Sequence, residues 1–145
     1  MTAPFRLTMP EPSENDVHVA CADALDKLLL PPAMWFAYPA GASILSPQQA
    51  ARHIRIGLKR GLPDLWFLFD GVWLIELKRR GGVLSRTRIV RTRRGSPRVL
   101  VGQEEVFPKL CATGAVRDIA VCHSVDEVLD QLARWRLPLR GRVAA

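Results

Sequence analysis

Asp64 and Glu76 stand twelve residues apart, and Lys78 follows the second acid by two. Mg²⁺ is commonly bound through one or two carboxylates, with water and substrate phosphate filling its other positions. A cation held in that way polarises a phosphate oxygen and lowers the pKa of nearby water. Residues two apart on a strand project to the same face, so Lys78 would lie beside Glu76 and could orient or activate the attacking water. The spacing points to metal-dependent phosphodiester hydrolysis, with Mg²⁺ or Mn²⁺ as the expected cofactor. The competing reading is a plain Glu76–Lys78 ion pair at a strand end, because short acid-x-lysine strings are common.

The elements that must position these residues are legible. Residues 65–69 and 72–75 are short apolar runs rich in aromatic and branched side chains, separated by the turn signal Asp70-Gly71. Both faces of both runs are apolar, which predicts interior strands of a sheet covered on both sides. A strict two-residue loop would pair Phe69 with Val72 and Asp64 with Leu77, turning Asp64 away from Glu76. A shared site therefore requires a one-residue shift. A three-residue loop with Gly71 in the left-handed region, forming a bulge, would supply it, as would a bend near Asp64.

With these residues in view, the chain resembles the PD-(D/E)xK nuclease superfamily, and within it the VRR-NUC family of virus-type replication and repair nucleases. The resemblance rests on Glu14 in a first helix, the Gly-Leu-Pro-Asp run ending at Asp64, and Glu76-Leu77-Lys78. Gln103 opening a later helix, then Leu110 and Gly114, a strand and a last helix complete it. It implies an α/β fold with a restriction-endonuclease-like core: a central mixed β-sheet flanked by helices, in α-β-β-β-α-β order. It implies that Asp64, Glu76, Glu14 and the Leu77 carbonyl serve the metal. Lys78 would attend the nucleophilic water, and Gln103 would steady the site. The implied activity is a metal-dependent DNA endonuclease, structure-selective for branched DNA such as Holliday junctions, and working as a homodimer. Two departures stand out. An insert, 86–101, separates the Gly/Ser loop after Lys78 from Gln103, and Pro108 should kink or shorten the helix that Gln103 begins.

Charge adds an independent line. The chain has 21 Lys and Arg against 14 Asp and Glu, a formal net charge of +7 and a pI of about 10.2. Nine basic residues and no acid lie between Leu77 and Gln103: Lys78, Arg79, Arg80, Arg86, Arg88, Arg91, Arg93, Arg94 and Arg98. Setting those nine aside leaves 12 basic residues against 14 acidic ones, so the positive field is local to the proposed site. The insert reads as a second hairpin, 87–92 and 98–101 about a turn at 94–97, whose arginines can track phosphates. A solvated edge hairpin is the plainer alternative. A second basic cluster, Arg52, His53, Arg55, Lys59 and Arg60, precedes Gly61, and Arg52, Arg55 and Lys59 are expected on one face of a helix that Ser46 caps and Pro47 begins. DNA-backbone contact and an ordinary solvated face suit that helix equally.

The remainder reads as scaffold for one domain, 14–136, between a loose arm, 1–13, and a basic tail, 137–145. Ser13 is placed to cap a helix over 14–30, with Asp16 the rival of Glu14 for any chemical role. Strands are expected at 34–38 and 116–122, and Ser124 with Glu127 forms a capping box opening a last helix to about Trp135. Cys21, Cys111 and Cys122 read as reduced core thiols of a cytoplasmic protein, bacterial or phage-encoded. The prolines and glycines of the uncharged stretch 28–51 argue against a membrane span, and no signal peptide is apparent. Two other functions remain open: a restriction-type duplex endonuclease on the same fold, and a non-catalytic nucleic-acid-binding module built on the arginine hairpin.

Overall fold

The chain enters its first helix, α1 (Glu14–Leu28), through a reciprocal cap. The Ser13 hydroxyl accepts from the Asp16 N–H, and the Asp16 carboxylate accepts from the Ser13 N–H. Val17, Cys21 and Leu25, each four residues on from the last, form the stripe that α1 buries. The computed structural model describes residues 9–38, 46–91, 93 and 95–141. Beyond α1 follow β1 (Met34–Ala37), α2 (Pro47–Arg55), β2 (Leu65–Leu68) and β3 (Val72–Leu77). Then come β4 (Arg88–Val90), β5 (Arg98–Leu100), α3 (Gln103–Ala112), β6 (Val116–Cys122) and α4 (Val125–Arg134). Among the described residues no helix is long and apolar enough to cross a membrane.

The fold is mixed α/β. Its main sheet has the order β1-β2-β3-β6, antiparallel across the first two junctions and parallel between β3 and β6. A parallel pair needs a long crossover, and the β4–β5 ribbon and α3 fill it here. One sheet face, with Leu65, Phe67, Ile75, Leu77 and Cys122, packs on the α1 stripe and on Val128 and Leu132 of α4. The opposite face holds Leu74 and Glu76 buried at its centre. It is not covered throughout, as the apolar runs led us to expect: towards β1 it leaves Met34, Phe36 and Leu68 exposed.

Several boundaries differ from those the sequence suggests. α2 stops at Arg55 because Gly57, at φ 96°, closes it: Gly57 N–H reaches the Ile54 carbonyl and Leu58 N–H the His53 carbonyl. Lys59 therefore lies beyond the helix and shares no helical face with Arg52 and Arg55. α3 runs through Pro108, which removes one backbone donor without ending the helix. The carboxylate of Glu127 takes the His123 N–H rather than completing a box with Ser124, although the Ser124 hydroxyl does cap Glu127 N–H. Cys111 is exposed, while Cys21 and Cys122 are buried; burial pushes their thiols up to about 11 and about 12.

Of the stretch read as a tail, residues 142–145 lie outside the described residues, and residues 137–140 pack on the domain. Leu137 and Leu139 join the core, Leu139 bridges Leu29, and the Pro138 carbonyl and Arg140 N–H bond the end of α1. Of the segment read as an arm, residues 1–8 lie outside the described residues.

Candidate active site

Site geometry begins with the β2–β3 register. Leu68 pairs with Val72 and Leu65 with Ile75, so the loop is the three residues Phe69, Asp70 and Gly71. Asp70 and Gly71 both take positive φ, 47° and 123°, and the Arg117 side chain of β6 donates to the Asp70 carbonyl at 3.1 Å. Continued one residue, this register sets Asp64 opposite Glu76 on the same sheet face. The one-residue shift demanded by a shared site is thus present, carried by the loop rather than by a bend.

Asp64 is half-buried and fixed from two directions. Its carbonyl accepts from Tyr38 N–H at 2.8 Å, and its Oδ2 accepts from Leu77 N–H at 2.8 Å. An extended residue turns its N–H and C=O to the same edge, so the Leu77 carbonyl also faces the Asp64 side. Glu76 is only 2% exposed. Its Oε1 takes two donors, Lys78 Nζ at 2.6 Å and Gln103 Nε2. Its Oε2 is shut off from water and has no donor. A buried charged acceptor left bare is costly, about 1–3 kcal/mol or more, so this oxygen calls for a cation or a proton.

The charge states follow from that crowding. Burial first, and the nearby charge of Asp64 second, push the Glu76 carboxyl up to about 7, against the opposing pull of Lys78 and Gln103. Burial likewise raises Asp64, against the Leu77 N–H and the charges of His18 and Lys78. Burial works against the Lys78 ammonium, but Glu76, with Glu14 and Asp64, outweighs it and holds Lys78 above the ordinary lysine value. The ion pair with Glu76 thus favours the ammonium form of Lys78.

Asp64, Glu76, Lys78, Gln103 and Glu14 line one cavity of about 190 Å³. Asp16, the rival acid, is committed to the Ser13 cap. Gln103 reaches the cavity despite the insert because the insert closes on itself. Ser85 N–H donates to Gln103 Oε1, Ser85 Oγ accepts from Gln103 N–H, and Thr87 Oγ1 accepts from Gly102 N–H. Those bonds join residues 15–18 apart at the root of the ribbon. They also fix the amide: with its oxygen on Ser85, its NH₂ must face Glu76. Gly102 has to be glycine, since a Cβ there would come within 3 Å of backbone atoms of Ser85, Arg86 and Thr87.

Among the described residues no group of three or more His, Cys, Asp or Glu side chains is arranged to hold a metal ion. The carboxylates on the cavity wall belong to Asp64, Glu76 and Glu14, and the Leu77 carbonyl faces the Asp64 side. One or two carboxylates are what Mg²⁺ commonly takes from a protein, so the donor types suit that ion.

The arginines divide into groups. Arg86 and Arg88 line a groove beside the cavity. Arg98 shares the ribbon face of Arg88, since Arg88 pairs with Leu100 and Arg98 with Val90. Arg91 and Arg93 are exposed at the ribbon's far end, and Arg94 lies outside the described residues. Arg79 and Arg80 are exposed just past β3, with Arg80 close enough to Glu127 to help lower its pKa. Arg52 and Arg55 line a separate shallow pocket with Gln48 and Ile56, and neither they nor Lys59 line the acid cavity.

Sequence reasoning placed Arg60 only in the basic cluster before Gly61, and it missed Ser85, which with Arg60 lines the cavity wall, and His18, which acts on Asp64 electrostatically. The Ser85 contacts had no signal near Ser85 itself. No protein-family model matches this chain, and no curated protein or solved structure matches it significantly.

Proposed function

We propose that the protein is a metal-dependent DNA endonuclease with a restriction-endonuclease-like core, hydrolysing phosphodiester bonds at the Asp64–Glu76–Lys78 cavity. The observation that carries this is the buried, donor-free Oε2 of Glu76, whose residue shares a sheet face with Asp64 and lines one cavity with Asp64, Lys78 and Gln103. A structural ion pair would have no need of a second acid that raises the energy of the first. The order α1-β1-β2-β3-α3-β6, once α2 and the ribbon are set aside, supports the fold reading.

Asp64, Glu76 Oε2 and the Leu77 carbonyl would hold Mg²⁺ or Mn²⁺. When bound, the cation would supply Lewis acidity to the phosphodiester and to the attacking water. The chain's own residues do the rest. Gln103 and Lys78 occupy Oε1 of Glu76 and so present its other oxygen as a ligand. Lys78, held protonated, donates to the water or to the charge developing on the phosphate. Glu14, which also lines the cavity, would contact the metal or that water. The arginines of the ribbon bind the DNA backbone, and their field raises the local concentration of a polyanion. Branched DNA is the proposed substrate, and symmetric cutting of a junction would require two copies of the chain.

The test is cleavage of labelled four-way junction, flap, single-stranded and linear duplex DNA in Mg²⁺, Mn²⁺ or EDTA. Preferred, metal-dependent cutting of one branched form supports the proposal. Equal cutting of linear duplex at a defined sequence favours a restriction-type enzyme. Binding with no cutting on any substrate leaves a nucleic-acid-binding module.

A further inference from the structure

We infer that the groove between Arg60 and the root of the β4–β5 ribbon binds the nucleotide next to the cleaved bond, with Arg60 as its phosphate-positioning residue. This rests on the nuclease reading and adds a subsite to it. The groove measures about 590 Å³, and Arg60, Ser85 and Val101 line both it and the acid cavity. A strand whose phosphate enters the cavity would therefore continue past those three residues.

The lining matches a nucleotide in two respects. Arg60, Arg86 and Arg88 face a single acid, Glu104, which Arg86 already engages at 3.4 Å. Between them lie Val83, Leu84 and Leu100, apolar surface that suits a sugar or a base. The ribbon turns its Arg88–Leu100 side to this groove and leaves Ile89 and Val99 outward, 67% and 61% exposed. A simple anion would use the arginines but not the apolar wall.

Arg60 is singled out by its freedom and its footing. Among the described residues it makes no hydrogen bond or ion pair, so its guanidinium is available for the two-pronged contact that phosphate accepts. Its backbone is braced by the next residue: a Cβ on Gly61 would lie 3.0 Å from Val106 Cγ2 and 3.6 Å from the Gln103 nitrogen. The turn bearing Arg60 is thus pressed against the start of α3, the element that also carries Gln103 to Glu76.

The experiment uses Arg60→Ala, Arg60→Lys and, as a charge-matched control, Arg140→Ala. Arg140 N–H bonds Leu28 at the end of α1 away from Glu14, about 20 Å along the helix. All are exposed positions, so folding should be unaffected. Binding of a phosphorylated thymidine dinucleotide is measured in EDTA, where no cutting occurs. Arg60→Ala should lose about tenfold or more, Arg60→Lys should recover part, and Arg140→Ala should stay within about twofold of wild type. On a DNA that wild type cuts, Arg60→Ala should lower kcat as well as raise KM. Replacing the phosphate beside the cut bond by an uncharged methylphosphonate should slow wild type but leave Arg60→Ala unchanged. Equal losses in Arg60→Ala and Arg140→Ala would overturn the subsite while leaving the nuclease intact. Dinucleotide binding that depends on Arg60, with no DNA cut, would leave the subsite standing and remove the nuclease.

Discussion

Replacing Glu76 by Gln should stabilise the metal-free protein, and by an amount that depends on pH. The wild-type carboxyl is raised from 4.5 to about 7 by burial and by Asp64. A carboxyl raised on folding favours the folded state while it is protonated, below about pH 4.5, and that contribution is lost as pH climbs through about 7. At about 1.4 kcal/mol per tenfold, the loss reaches about 3 kcal/mol at pH 8. Glutamine mimics the neutral acid: its amide oxygen can keep Lys78 and Gln103 as donors, and no charge is left on Oε2. Glu76→Gln should therefore gain about 3 kcal/mol over wild type at pH 8, close to nothing at pH 4. For a chain of this length that is a rise of about 10 °C in Tm at the higher pH. Thermal unfolding in EDTA, followed by circular dichroism across that range, measures it. Added Mg²⁺ should raise the Tm of wild type and not that of the variant, because a cation replaces the proton as the partner of Oε2. A variant that is less stable than wild type at pH 8, or equally shifted at pH 4 and pH 8, would refute the reasoning.

Three further outcomes follow from the packing. Gly102→Ala forces backbone apart at the ribbon root. It should cost about 1–3 kcal/mol in urea unfolding and reduce DNA cleavage more than DNA binding, because Gln103 loses its footing on Ser85. Arg88→Ala and Arg98→Ala should each lower the slope of log affinity against log salt by about 0.9 on duplex DNA. An unchanged slope in fluorescence-anisotropy titrations would remove that arginine from the interface. Leu139→Ala, 7% exposed in the wild type, should cost about 2–5 kcal/mol. A change below about 0.5 kcal/mol would return that segment to the status of a tail.

Local physics made much of this legible from sequence. The helix starts at Ser13, Ser46 and Ser124 are short-range hydrogen-bond patterns. Counting faces around Asp70-Gly71 gives the condition for an Asp64–Glu76 alignment, a one-residue shift, while the three-residue loop that meets it is one of two ways left open. What stayed hidden depends on contacts between distant residues. Nothing near Ser85 announces that its hydroxyl and N–H will meet Gln103, eighteen residues later. The single clue was Gly102, whose missing side chain lets the two strands of the root approach. Leu137 and Leu139 were obscured by flanking arginines, and only the docking of Pro138 and Arg140 on the end of α1 buries them. Lys59 was misplaced because Gly57 was passed over as a helix terminator. The open patch of Met34, Phe36 and Leu68 escaped notice because an apolar strand does not reveal which of its faces a helix will cover.

The most direct test of the central claim is single-turnover cleavage of the preferred DNA by wild type, Asp64→Asn and Lys78→Ala, in Mg²⁺ and in EDTA, with binding measured alongside. Cleavage by wild type in Mg²⁺ alone is expected, with each variant slower by roughly 4 kcal/mol, about a thousandfold, and DNA affinity kept. Cleavage that persists in EDTA, or survives in Asp64→Asn at the wild-type rate, would contradict a hydrolytic site built on this pair of acids.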